Sequence, residues 1–144
     1  VTNAQVSQFD GTGTLATAGA DDDGNRLTDR WEARIPWGNL NAADASGDSD
    51  GDSYYNIEEY IAGTQATNGG SYFEVATTST VPQGVQFNSL TGRLYIIEYR
   101  DRLAGSPDWQ VLSNNVVGIG GAMTVSDSTA TNSRNYRTKV KMGP

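Results

Sequence analysis

The stretch Arg93-Leu94-Tyr95-Ile96-Ile97-Glu98-Tyr99-Arg100 sets Tyr95, Ile97 and Tyr99 against Leu94, Ile96 and Glu98. Successive side chains of a strand point to opposite faces, so a run that is apolar on both reads as a central strand with each face at least partly buried. Working outward, further strand-like runs cover Tyr72 to Thr77, Gly84 to Asn88, Trp109 to Leu112, Met123 to Ser126 and Tyr136 to Met142, separated by turn residues. Short strands at this spacing predict an antiparallel sandwich over residues 72–144.

Upstream the pattern changes. Residues 21–63 hold 11 of the 17 acidic side chains. Leu27, Trp31 and Ile35 recur at helical spacing, which predicts a short helix ended by Pro36, and Ile57 and Ile61 predict a second that stops near Gly63. The domain reading is therefore an extended lead-in strand over 1–20, a tandem loop-helix segment over 21–66, and the sandwich over 72–144.

Read as a twelve-residue loop, Asp21 to Glu32 places Asp21, Asp23 and Asn25 at positions 1, 3 and 5, Leu27 at 7, Asp29 at 9 and Glu32 at 12. Asp48 to Glu59 places Asp48, Asp50, Asp52, Tyr54, Asn56 and Glu59 at the same positions, at an offset of 27 residues. Calcium takes about 6 to 8 oxygen ligands, and alternate side chains of a tightly curled loop converge on one centre. Position 7 offers a backbone carbonyl, position 9 often acts through water, and a Glu at 12 supplies both carboxylate oxygens. The expectation is two calcium ions, one per loop. Charge runs of this kind are commonly solvated faces, but five oxygen-bearing positions repeated at one offset argue against that here. Both loops depart from the EF-hand pattern at position 6, where Arg26 and Ser53 replace the turn-forming glycine.

Composition removes several alternatives. The chain has no Cys and no His, so disulfides, thiolate or imidazole metal sites and Ser-His-Asp or Cys-His nucleophiles are excluded. The net charge of −7 argues against nucleic acid, whose phosphates are bound through Lys and Arg. The charge is also uneven: residues 1–92 carry 13 acidic and 3 basic side chains, while residues 93–144 carry 4 and 7. No apolar run approaches the roughly 18 residues that span a bilayer, so membrane insertion is not expected.

The two acidic loops, with Trp31-Glu32 in the first and Asn56-Ile57-Glu58-Glu59-Tyr60-Ile61-Ala62-Gly63-Thr64 closing the second, resemble the bacterial thrombospondin type 3-like calcium repeats. Gly92-Arg93, Tyr95, Tyr99, Leu103, Trp109, Leu112, Asp127 and Tyr136-Arg137 resemble the β-sandwich that follows such repeats in large secreted bacterial proteins. The resemblance covers residues 21–142. It implies a mostly β fold, with calcium loop-helix repeats packed against or leading into a fibronectin- or immunoglobulin-like sandwich. It also implies an extracellular or cell-surface setting and a non-catalytic structural or anchoring role. Candidate partners besides calcium are neighbouring domains, copies of the chain and surface glycans. A carbohydrate-binding module, a self-assembling filament or adhesin subunit joined by strand addition, and a dockerin-like partner module are the alternatives. Dockerin repeats are more closely spaced and lack a following sandwich.

Among the aromatics, Tyr95, Trp109 and Tyr136 are expected as core residues, and Trp37 beside Pro36 is the best candidate for an exposed sugar platform. Glu74, Glu98, Asp101 and Asp108 show no spacing that marks a hydrolytic carboxylate pair, so the chain is not expected to be an enzyme.

Overall fold

The computed structural model describes residues 5–6, 21–35, 44–79, 82–101, 108–130 and 134–143. The fold is mostly β, two small antiparallel sheets packed together with a few short helices. The described residues divide into two compact units, one ending at Tyr72 that holds both acidic loops, and one made of the N-terminal strand with Phe73 to Gly143.

The strand unit contains β1 (Gln5–Val6), β2 (Val75–Thr77), β3 (Gly84–Asn88), β4 (Arg93–Asp101), β5 (Gln110–Val117), β6 (Ala122–Ser126) and β7 (Arg134–Met142). β7, β4 and β5 form one antiparallel sheet in that order, and β2, β3 and β6 form the other. β1 adds a two-residue parallel edge, with Gln5 and Val6 opposite Arg137 and Thr138. Of the expected lead-in over 1–20, only this pair falls within the described residues.

β4 lies between β7 and β5, as its two-sided apolar pattern requires. Its Tyr95 and Ile97 are fully buried, and Phe73, Val75, Val85, Phe87, Tyr136 and Val140 complete the core. Phe87 and Phe73 place their ring centroids 4.8 and 6.0 Å from that of Tyr95. Each such side chain removed from water contributes about 1.5–3 kcal/mol. On the other face of β4, Glu98 is buried but accepts hydrogen bonds from Arg137 and from Lys139, the latter at 3.1 Å. A buried charge persists only when paired in this way.

Three expectations for the strand unit need correction. β2 starts at Val75 and not at Tyr72, which is exposed and belongs to the acidic unit. β5 runs on to Val117 because Val116 and Val117 pair with Tyr95 and Leu94 beyond two register shifts, with Asn115 at φ 54°. Trp109 is half-buried, with the guanidinium carbons of Arg100 and Arg137 at 4.9 and 4.4 Å from its ring centroid. Arginine stacking there replaces the core role expected of it. Tyr95 and Tyr136 are core residues as expected.

The acidic unit contains α1 (Asp29–Glu32), a 3-10 turn at Asp44–Ser46 and α2 (Asn56–Ala62). α1 is shorter than the Leu27–Ile35 spacing predicts: Leu27 precedes it and Ile35 follows, yet both are buried. α2 starts where the Glu58 carboxylate accepts from Tyr55 N–H at 2.9 Å, and it ends at Gly63, whose φ of 79° is the left-handed conformation glycine adopts without strain. Ile57 and Ile61 are only half-buried. α2 buries Asn56 and Glu59, which belong to the second loop. An edge-to-face contact between Trp31 and Tyr60, 5.5 Å between centroids, ties α1 to α2.

Candidate metal centre

Both loops adopt one backbone course. Position 4 is left-handed in each (Gly24 φ 72°, Gly51 φ 78°), and so is position 6 (Arg26 φ 78°, Ser53 φ 80°). Arg26 and Ser53 thus take the conformation that glycine usually supplies, at a cost of about 1–2 kcal/mol each, and the sharp turn survives. The force that holds them there is visible in the hydrogen bonds. Arg26 N–H donates to Asp21 Oδ2 at 3.1 Å, and Ser53 N–H donates to Asp48 Oδ2 at 2.9 Å.

Four more hydrogen bonds repeat at the 27-residue offset. Asn25 and Asp52 N–H donate to Asp21 and Asp48 Oδ1 at 3.1 and 3.2 Å, and to Asp23 and Asp50 Oδ1 at 3.0 and 3.3 Å. Leu27 and Tyr54 N–H donate to Asn25 and Asp52 Oδ1 at 2.7 and 2.8 Å. Position 9 accepts from the N–H of position 2: Asp29 from Asp22 at 3.0 Å, Asn56 from Ser49 at 3.3 Å. Asp29 and Asn56 therefore close their loops through the backbone.

The second loop gathers its carboxylates. Asp48, Asp50 and Asp52 each offer an oxygen within 4.8 Å of the others. Glu59, 2% exposed, stands against them from α2. Its Oε1 accepts from Thr64 Oγ1 at 3.3 Å, while Glu59 Oε2 and Asp50 Oδ2 are buried and have no hydrogen-bond partner among the described residues. Two unit charges this close repel by on the order of 1 kcal/mol in water and several times that near a protein surface. Burial, then Asp50 and Asp52, and more weakly Asp48, push the Glu59 carboxyl from 4.5 up to about 7 against the opposing Thr64 hydrogen bond. Orphaned carboxylate oxygens in a hard, all-oxygen ring are what a divalent cation would satisfy.

The first loop is arranged differently inside the same backbone. Its position 5 is Asn25, whose Nδ2 donates to Glu32 Oε1 at 2.6 Å and to Asp23 Oδ2 at 3.1 Å. The amide group thus lies between two carboxylates, while its oxygen accepts from Leu27 N–H. Leu27 buries its side chain completely.

Thr64 and Gly69 escaped the twelve-residue reading. A Cβ at Gly69 would stand 3.3 Å from Asp52 Cβ, so glycine there lets the 68–71 turn close over the loop. Thr64 lies in the quoted run that ends the second repeat, but no spacing rule assigns it a contact. Trp37, the expected sugar platform, lies outside the described residues.

No family model, curated protein or solved structure matches the chain.

Proposed function

We propose that the chain is a non-catalytic calcium-binding module of an extracellular or cell-surface protein, in which two ions stiffen the acidic unit and help attach or space its neighbours. The observation that carries this reading is the Asp48–Asp50–Asp52 cluster facing the buried Glu59, with two carboxylate oxygens left without partners. Glu32, Asp21, Asp23, Asn25 and Asp29 would hold the second ion on the same backbone course. The small apolar content of the unit gives the metal its role. Its buried hydrophobic residues, among those described, are Leu27, Ile35 and Ala66, whereas Asn25, Glu32, Asn56 and Glu59 are buried polar groups. A unit with so little core needs another source of stability, and in a chain without disulfides a bound ion supplies it.

Outside the loops, Glu98 and Asp101 are engaged by Arg137, Lys139 and Arg134, which favours a structural over a hydrolytic role for these acids. The distribution of strands β2, β3 and β6 against β4, β5 and β7 favours a fibronectin-like sandwich of the kind expected behind such repeats. A second reading, self-assembly by strand addition, is favoured by one observation. The short β1 pairs at the outer edge of β7, an edge that a strand from another copy would also fit. Concentration-dependent polymers in light scattering would support it.

Hydrogen exchange with and without chelator tests the stiffening role. Residues 21–63 should exchange faster on chelation while β4 and β7 stay protected. Equal protection of the acidic unit in both conditions would remove the physical basis of the reading.

A further inference from the structure

The acidic unit contains a cavity of about 250 Å³ beside the two closing helices. It is lined by the buried Ile35 and Ala66, the half-buried Trp31 and Thr64, and the exposed Arg34 and Gln65. The local backbone explains this grouping. After α1 the chain continues in tight turns, with Arg34 N–H donating to Trp31 C=O at 3.0 Å and Ile35 N–H to Glu32 C=O at 2.9 Å. Residues 31, 34 and 35 therefore share one side, as neighbours three and four apart do on a helix. Opposite them, the left-handed Gly63 turns the chain out of α2. The next turn is fixed by Asn68 N–H to Gln65 C=O at 3.0 Å and by Gln65 N–H to Ser71 Oγ at 3.0 Å. Both sides are thus held by local hydrogen bonds, as a preformed site requires.

We propose that this cavity binds the carboxylate-bearing ring of an acidic sugar, a uronic acid unit of a polysaccharide. The Arg34 guanidinium takes the carboxylate, Trp31 packs on the ring, and Thr64 and Gln65 meet the hydroxyls. Three features select this class. Pockets for drug-sized ligands run from about 300 Å³ upward, so this one suits a single ring. Its lining pairs an aromatic wall with hydroxyl and amide groups, which fits a ring that is apolar on one face and hydroxylated at its edge. Arg34 is exposed and, among the described residues, no carboxylate pairs with it, although its unit is rich in acids. A guanidinium binds carboxylate in a two-point fork that a neutral sugar does not offer.

The site goes beyond the calcium reading and meets it at one bond. Thr64 Oγ1 donates to Glu59 Oε1 at 3.3 Å, and Trp31 precedes Glu32. An ion that fixes Glu59 and Glu32 steadies Thr64 and Trp31 in the cavity lining, so sugar and calcium each tighten the other by the same factor.

Calorimetry on the full chain tests the proposal, with glucuronate, glucose and an acetylated dipeptide as probes and calcium titrated on the same preparation. Glucuronate is expected to bind in calcium and more weakly in chelator. Arg34→Gln should weaken it by about tenfold or more, as loss of a charge-assisted pair does. Trp31→Phe should retain binding and Trp31→Ala lose it. Equal binding of glucose and glucuronate, or no effect of Arg34→Gln, overturns the carboxylate contact. Stronger binding of the dipeptide assigns the cavity to a peptide terminus and overturns the sugar. Calcium heat without glucuronate heat overturns the proposal and leaves the calcium reading standing, whereas glucuronate heat without calcium heat overturns the calcium reading and the coupling and leaves the sugar site standing.

Discussion

Replacing Glu59 by Gln should act in opposite directions with and without calcium. In the calcium-free protein the Glu59 carboxyl titrates near 7 instead of 4.5, because it is buried and faces Asp50, Asp52 and Asp48. Its folded-state value is raised, so the favourable protonated form is fully present below 4.5 and is lost as pH rises through 7. At pH 8 the ionised Glu59 thus costs the calcium-free unit up to about 3 kcal/mol, at 1.36 kcal/mol per pKa unit. Water admitted by local opening lowers this, so about 1–3 kcal/mol is expected. Gln resembles the protonated acid at every pH. Glu59→Gln should therefore slow amide exchange across α2 in chelator at pH 8, by a factor corresponding to that energy, and change it little at pH 5. In calcium the same variant loses the residue that closes the loop, and the protection conferred by the ion should fall. Native-state hydrogen exchange at residues 56–62 reads all three conditions. Faster exchange of the variant in chelator at pH 8 would refute the argument that Glu59 is held against its electrostatic preference.

Calcium competes with the Glu59 proton, so its affinity should decline as pH falls from 7 to 5. Titrations in buffers of different ionisation enthalpy should then reveal proton release that disappears at pH 8.5; pH-independent affinity over that range would contradict it. Ser53→Gly and Arg26→Gly relieve left-handed strain at φ 80° and 78° and should each stabilise the acidic unit by about 1 kcal/mol in thermal denaturation; destabilisation would mean that these side chains make a contribution not yet recognised. In the strand unit, Asp127 is almost completely buried and accepts from Arg134 at 2.7 Å and Tyr136 at 2.8 Å. Burial pushes its carboxyl up, but the hydrogen bonds from Arg134, Tyr136 and Thr129 outweigh this and leave it below the usual 3.8. The stability it contributes is therefore present above 3.8 and lost as pH falls through its folded value. Asp127→Asn should cost about 3–5 kcal/mol in denaturant unfolding, as breaking a buried ion pair does; a loss under 1 kcal/mol would show that Arg134 finds sufficient support from Asp101 alone.

Strands were legible wherever the period of two was strong. Gly84–Asn88 matches its expected bounds, and β4 extends its own by one residue, to Asp101. β5 was under-read because Ser113, Asn114 and Asn115 carry no apolar alternation, and its continuation depends on register shifts set by β4. For the acidic segment, the 27-residue repeat announced the shared backbone course, including its five repeated hydrogen bonds. The left-handed residues at position 6 were not legible, since propensity alone disfavours them and the aspartate at position 1 holds them by accepting their N–H groups. Nor was the difference inside the loops. Position 5 is an amide in Asn25, which bridges Asp23 and Glu32 by hydrogen bonds, and a carboxylate in Asp52, which joins Asp48 and Asp50. Trp109 misled because an aromatic in a strand unit suits the core equally well until Arg100 and Arg137 are placed beside it.

Native mass spectrometry of the full chain titrated with calcium tests the central claim most directly. The account predicts two ions on the wild-type chain, one on Glu59→Gln and one on Glu32→Gln. No saturable calcium, or two ions retained by the doubly substituted chain, would contradict it.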